Sequence, residues 1–316
     1  MIPIARPILD REEIEGVIAV LESGNLAQGK VVERFEGMFA EIIGVKHAIA
    51  VSSGTAALHA ALLAHGIGQG DEVITTPFTF AATANAVLYT GARPVFVDIL
   101  EDTFNINPDL IREKITSRTK AILPVHLYGH PADMLAIAEV ADRFGLPIIE
   151  DAAQAHGAAI GNRKVGTFGT GCFSFYATKN ITVGEGGIVT TNEDKIADRL
   201  NLLRNHGQRG RYHHEVLGYN YRMTDLHAAI GVAQLSRLEE FTLKRIANAE
   251  YFSARLRNVV TPRSRPDCRH VYNQYTIRIP GARDDAARIL KDAGIATSVH
   301  YPVPIHKQPL YLNLGF

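Results

Sequence analysis

The sequence predicts an α/β fold: a mostly parallel, mixed sheet flanked by helices, with a smaller C-terminal α/β domain. Three observations carry this. Short apolar runs alternate with helical patterns from residue 47 to residue 151, and such alternation builds a parallel sheet covered on both faces. Two more strand-like runs, 171–176 and 186–191, follow each other too closely for a helical crossover, so one strand must run antiparallel. From about residue 225, long helical sequence replaces the alternation. That places a boundary near 236, with a large domain over 1–235 and a small one over 236–316.

The elements follow in order. Ile14, Val17, Ile18 and Leu21 fall at helical spacing. Asp10 can cap that helix, Glu13 holds the capping-box position, and Gly24 ends it. Phe35, Phe39, Ile42 and Ile43 mark a second helix. "HAIAV" (47–51) reads as a buried strand, "TAALHAALLAHG" as a helix, "EVITT" (72–76) as a strand, "AATANAVLYTG" as a helix and "PVFVD" (94–98) as a strand. "NPDLIREKI" opens with a proline suited to the first turn of a helix. "KAILPV" (120–125) is a strand, "ADMLAIAEVADRFG" a helix and "LPIIED" (146–151) a strand, followed by "GCFSFY" and "GGIVTT". "DLHAAIGVAQLSRLEEFTLKRIANAEYFSARL" reads as one long helix or two joined ones. In the small domain, "QYTIRI" (274–279) reads as a strand and 284–293 as a helix.

Composition narrows the function. The 316 residues are 46% hydrophobic and carry 33 acidic and 33 basic side chains. Zero net charge gives no support for nucleic-acid or acidic-membrane binding. Two cysteines, Cys172 and Cys268, are too few for a disulfide framework, which points to a reducing cytoplasm. The N-terminus lacks the basic and apolar regions of a signal peptide. No uncharged apolar stretch is long enough for a membrane span. The thirteen histidines show no metal-ligand spacing, so no metal is expected.

Ligands in open α/β sheets bind beyond the carboxyl ends of the strands. After "HAIAV" come Ser52, Ser53, Gly54 and Thr55, then a helix. That is either a phosphate cradle at a helix N-terminus or a plain N-cap. After "LPIIE" comes Asp151, either a helix cap or a buried carboxylate awaiting a partner. After "GCFSFY" comes Lys179, set among small residues and glycines in "SFYATKNITVGEGG". A lysine there is a candidate for depressed pKa and imine chemistry. Cradle, carboxylate and lysine together match one cofactor, pyridoxal 5'-phosphate. It has a phosphate to hold, a pyridine nitrogen that needs an acid and an aldehyde that condenses with an amine. "GTFGTG" (166–171) has the wrong glycine spacing for a dinucleotide fingerprint and leads into a strand.

Six segments in order, "ESGNLAQGKVVERFEGMFAEIIGVKHAIAVSSGTAAL", "TPFTFAATANAV", "PVFVDI", "IIEDAAQAHGA", "FSFYATKNITVGEGG" and "GYNYRMTDLHAAIG", resemble the DegT/DnrJ/EryC1/StrS family. These are pyridoxal-phosphate-dependent sugar aminotransferases of the aspartate-aminotransferase fold, type I. The resemblance implies that Lys179 holds the cofactor as an imine and shuttles the proton, while Asp151 pairs with the pyridine nitrogen. Gln154 would reach the phenolic oxygen. Gly54, Thr55 and Ser174 would bind the phosphate, and Phe80 would stack on the ring. It also implies a homodimer with shared sites, in which Asn220 reaches the partner's phosphate and Arg222 sits close by. On one chain alone, Arg222 beside aromatics also reads as a surface salt-bridge partner. Tyr176, His300, Tyr301 and His306 match positions that face the substrate.

The implied reaction takes an amine from a donor, glutamate, and passes it to a nucleotide-linked ketosugar. "NITVGEGG" resembles enzymes acting at C4 of a 4-keto sugar, whereas Tyr176 stands where many of those carry histidine. Amination of a 3-keto sugar or a cyclitol, and a catalytically silent cofactor-binding regulator, are the alternatives. Dehydratase relatives carry histidine in place of the lysine, which Lys179 argues against. Family members usually run some tens of residues past the equivalent of "HKQPLYLNLGF", so the resemblance also implies a small domain that is incomplete here.

Overall fold

The computed structural model describes all 316 residues. Helix α1 (Arg11–Ser23) starts where the capping box predicts, with the Asp10 N–H donating to Glu13 Oε2 at 2.8 Å. Gly24 closes it in the left-handed region, φ 73°. α1 buries only Glu13 and Val20, and leaves Ile14, Ile18 and Leu21 exposed on one stripe. α2 (Lys30–Ile43) buries Val32, Phe35, Phe39 and Ile43. Its cap comes from far away in sequence: Asp225 Oδ1 accepts the N–H groups of Gly29 (2.8 Å) and Val32 (3.0 Å).

The alternation follows as β1 (His47–Val51), α3 (Gly54–Ala64), β2 (Glu72–Thr75), α4 (Ala81–Tyr89), β3 (Arg93–Phe96), β4 (Thr119–Ile122), α5 (Met134–Phe144) and β5 (Ile149–Asp151). A small hairpin, β6 (Ala159–Ile160) and β7 (Arg163–Lys164), precedes β8 (Thr170–Ser174) and β9 (Gly187–Thr191). Then come α6 (Asp194–Arg204), the exposed ribbon β10 (Gln208–Gly210) and β11 (His213–His214), α7 (Asp225–Ser236), α8 (Leu238–Arg255), β12 (Cys268–Arg269), α9 (Arg283–Asp292) and α10 (Pro309–Asn313).

Two ladders, β1-β9-β8-β5 and β3-β2-β4, meet through the parallel bridges Ile122–Ile148 and Val125–Asp151. The joined order is β1-β9-β8-β5-β4-β2-β3. β9 is antiparallel to both β1 and β8, and the other pairings run parallel. The carboxyl ends of the other strands therefore share one rim. One face is covered by α3 and α6 over Ile49, Val51, Cys172 and Val189. The opposite face carries Phe35, Phe39, Phe173 and Phe175, packed edge to face at 5.0–5.5 Å.

Two expectations fail. Residues 107–115 form two 3₁₀ turns, Pro108–Leu110 and Arg112–Lys114, instead of an α-helix. The turn into β4 starts too early for a helix to grow, since the Thr116 N–H is taken by Thr119 Oγ1 (2.9 Å) and its hydroxyl by Glu72 (2.6 Å). "QYTIRI" is not a strand. Arg278 alone bridges, to Val260, and a run with no ladder beside it has no paired backbone groups to hold it extended.

Candidate active site

The rim brings the first three sequence candidates together. Ser53 caps α3, its hydroxyl accepting the Ala56 N–H at 3.1 Å, so the plain N-cap reading holds for that residue. The N–H groups of Gly54 and Thr55 belong to a first turn that lacks intrahelical acceptors. Gly54 lies directly against the end of β8: a methyl group on it would stand 2.6 Å from Ser174 Cβ. Ser174 is buried there and accepts the Tyr176 N–H at 3.3 Å. The Ser52 N–H donates to Tyr221 C=O (2.8 Å), which lays the "GYNYRM" segment along the same turn.

Asp151 ends β5 and is 6% exposed. Its Oδ2 accepts the Thr83 hydroxyl at 2.7 Å, and Thr83 in turn meets the Thr79 hydroxyl at 2.9 Å. Its Oδ1 accepts the Ala153 N–H at 3.2 Å. No helix follows, so the cap reading falls and the buried carboxylate remains. Thr83 was invisible from sequence, since it lies 68 residues away on α4.

Lys179 closes a turn, its N–H donating to Tyr176 C=O at 2.9 Å. It is half-buried. Burial holds its ammonium below the ordinary value, and the Asp151 charge opposes that only in part. Its charge is felt by His156 and His300, so Asp151, His156 and His300 bracket it. His156 is wholly buried against Phe173 (5.5 Å) and Phe175 (5.4 Å), with neither ring nitrogen hydrogen-bonded. Burial first, then the lysine charge, push its pKa down to about 3.

Gln154 Oε1 accepts the Tyr128 N–H at 2.7 Å, and its Nε2 donates to the Tyr301 hydroxyl at 3.2 Å. The Tyr128 hydroxyl donates to His300 C=O, so His300 and Tyr301 reach the rim. Phe80 precedes α4 and is 62% exposed, and Tyr176 is exposed too. Within one chain, Arg222 donates to Asn205 Oδ1 (2.6 Å), and the exposed Asn220 bridges to Asn205 as well. His306 packs against Phe96 at 6.2 Å.

A cavity of about 370 Å³ opens beside Lys179, between residues 3–8, residues 177–182 and α8. Its charged lining is all cationic: Arg6, Lys179, Lys244 and Arg245. Arg245 donates to the carbonyls of Tyr272 (3.2 Å) and Asn273 (3.3 Å) and has no carboxylate, and burial lowers its pKa. Sequence reading missed Lys244 and Arg245 because basic residues on a helix look like a solvated face.

The residues fit pyridoxal phosphate. A glycine held against a strand end leaves backbone N–H groups for a phosphate, a buried carboxylate stands ready for a ring nitrogen, and burial favours a neutral amine. Comparison with known proteins agrees. The model of the DegT/DnrJ/EryC1/StrS aminotransferase family matches residues 7–315. A pleiotropic regulatory protein of Geobacillus stearothermophilus is 45% identical, over 94% of this chain and 82% of the relative. GDP-perosamine synthase of Caulobacter vibrioides is 44% identical, over 99% and 88%. dTDP-3-amino-3,4,6-trideoxy-alpha-D-glucose transaminase of Streptomyces venezuelae is 45% identical, over 95% and 81%. The crystal structure of DesV from S. venezuelae superposes with TM-score 0.92 at 44% identity, covering 96% of this chain and 82% of that one.

Proposed function

The chain belongs to the DegT/DnrJ/EryC1/StrS aminotransferase family and is a pyridoxal-phosphate-dependent aminotransferase of fold type I; on that footing we propose that it moves the amino group of glutamate to the keto carbon, C4, of a nucleotide-linked sugar. The observation that carries the reading is the half-buried Lys179 at the sheet rim, its pKa lowered by burial and the Asp151 carboxylate close enough for its charge to act on it.

Each residue has a task. Lys179 would hold the cofactor through its Nζ and, once the donor's amine has taken that place, the freed Nζ would move the proton off the donor's α-carbon. Asp151, fixed by Thr83 and Ala153, holds the proton on the pyridine nitrogen. Gly54, Thr55 and Ser174 bind the phosphate, Gln154 faces the phenolic oxygen, and the exposed Phe80 ring offers a stacking face. Bound there, pyridoxal phosphate supplies the electron sink for the proton transfer. The partner subunit's Asn220 completes the phosphate site in a homodimer. The bare apolar stripe Ile14, Ile18 and Leu21 on α1 supports burial against a second copy. Tyr176, Arg222, His300, Tyr301 and His306 belong to the substrate side.

The cations around the cavity support anionic co-substrates, glutamate with two carboxylates and the sugar with its diphosphate. "NITVGEGG" favours C4. The S. venezuelae relative, named for a 3-amino sugar, is as similar as the others, so identity alone does not select the carbon. A panel of 3-keto and 4-keto nucleotide sugars assayed with glutamate tests this; turnover confined to 3-keto substrates refutes C4. A second reading, cofactor binding without turnover, draws on the relative named as a regulatory protein. Single-turnover formation of 2-oxoglutarate from glutamate separates the two, since a silent binder forms none.

A further inference from the structure

The C-terminal segment docks onto the rim at four points. The Tyr128 hydroxyl donates to His300 C=O, and Gln154 Nε2 donates to the Tyr301 hydroxyl at 3.2 Å. The Ile305 N–H donates to Pro77 C=O (2.9 Å), and the Tyr311 hydroxyl to Asn85 Oδ1 (2.7 Å). The Tyr301 ring also packs edge-on against Phe78 at 5.9 Å. Gln154 sits where this segment meets the cofactor residues.

The orientation of its amide is determined from both ends. Tyr128 is buried with φ 59°, a left-handed conformation uncommon for a bulky residue, and that bend aims its N–H at Gln154 Oε1. A flipped amide would set NH₂ against N–H and forfeit the bond. The oxygen is therefore fixed and the NH₂ end faces Tyr301. One of its two hydrogens goes to the Tyr301 hydroxyl, leaving the other for a further acceptor. Burial raises the Tyr301 phenol to about 12, so it stays a neutral hydroxyl over the working range.

We propose that Tyr301 is a positioning residue, which locks the Gln154 amide so that its second Nε2–H is presented to the phenolic oxygen of the cofactor. This rests on the reading that Lys179 carries pyridoxal phosphate. It moves Tyr301 from sugar contact to control of the cofactor's charge.

The test is an absorbance titration of the holoenzyme. A donor to the phenolic oxygen stabilises its negative charge, which is greatest once the Lys179-linked nitrogen has lost its proton. Loosening that donor raises the apparent pKa of the visible band. Tyr301→Phe keeps the ring on Phe78, so the melting temperature should hold while the pKa rises by about half a unit to one unit, the range of one hydrogen bond. Tyr128→Phe frees the His300 carbonyl but keeps its N–H on Gln154, and should shift the pKa the same way by less. In a Gln154→Ala background the Tyr301→Phe shift should vanish. A Tyr301→Phe titration that matches wild type, or a shift that persists without Gln154, overturns the proposal. A wild-type protein whose borohydride-reduced adduct maps away from Lys179 overturns the cofactor reading beneath it.

Discussion

Replacing Gly54 by alanine tests whether the turn after β1 is truly pressed onto the end of β8. Two effects compete. Gly54 opens α3 and its φ lies outside the left-handed region, so alanine is conformationally allowed and gains up to about 1 kcal/mol of helix propensity. Against that, the new methyl stands 2.6 Å from Ser174 Cβ and 3.0 Å from its Oγ, where carbon atoms prefer about 3.5–4.0 Å. Ser174 cannot recede, because it pairs with Gly187 in a strand hydrogen-bonded on both sides. Overpacking of this kind costs about 1–3 kcal/mol, so the clash outweighs the propensity. The expected net loss of about 1–2 kcal/mol lowers Tm by roughly 1.5–3 °C for a chain of this length. Adding Ser174→Gly should restore most of that loss, giving a clear coupling energy. Added pyridoxal phosphate should raise the Tm of Gly54→Ala less than that of wild type, since the cradle is displaced. A Gly54→Ala protein that melts at or above wild type refutes the close contact.

Four other outcomes are expected. Asp151→Asn keeps an acceptor for Thr83 but loses the charge, so cofactor should still bind while turnover falls about 10²–10⁴-fold; unchanged turnover contradicts the electron-sink role. Thr83→Val removes a hydrogen bond to a buried carboxylate and should cost about 1.5–3 kcal/mol in denaturant unfolding, whereas an unchanged midpoint would mean that Thr83 does not hold Asp151. His156 and His270 are both pushed down to about 3. The unfolded chain therefore binds more protons than the folded one between about pH 6.5 and 3, and stability present above that window is lost as pH falls through it, by about 1.4 kcal/mol per unit for each fully buried ring; a flat stability profile from pH 7 to 5 argues against their burial. Finally, mixing Asn220→Ala with Lys179→Ala subunits should recover part of the activity that each alone lacks, and failure to complement argues for a site built within one chain.

Where the sequence was readable, the deciding interactions were local. Asp10, Glu13 and Gly24 set the ends of α1 within fifteen residues of chain, and the spacing of "GCFSFY" and "GGIVTT" alone required the antiparallel strand that β9 supplies. Gly54, Asp151 and Lys179 group together on sequence alone because parallel strands put their carboxyl ends on one rim, so order along the chain becomes proximity in space. "QYTIRI" failed for the opposite reason: a strand is a property of its neighbours, and its only bridge is to Val260. The same limit hid the groups that tune the site. Thr83, His156 and Arg245 each look ordinary in their own helix or loop. Their meaning comes from a carboxylate 68 residues away, two phenylalanine rings on β8 and its end, and a pair of carbonyls after β12. Sequence thus marks the candidate groups at the strand ends, because the parallel topology fixes where they meet. The groups that set protonation are fixed only by how the chain packs. Tyr301 is the sharpest case, since its position in the chain suggests a sugar contact, whereas its hydroxyl meets the Gln154 amide.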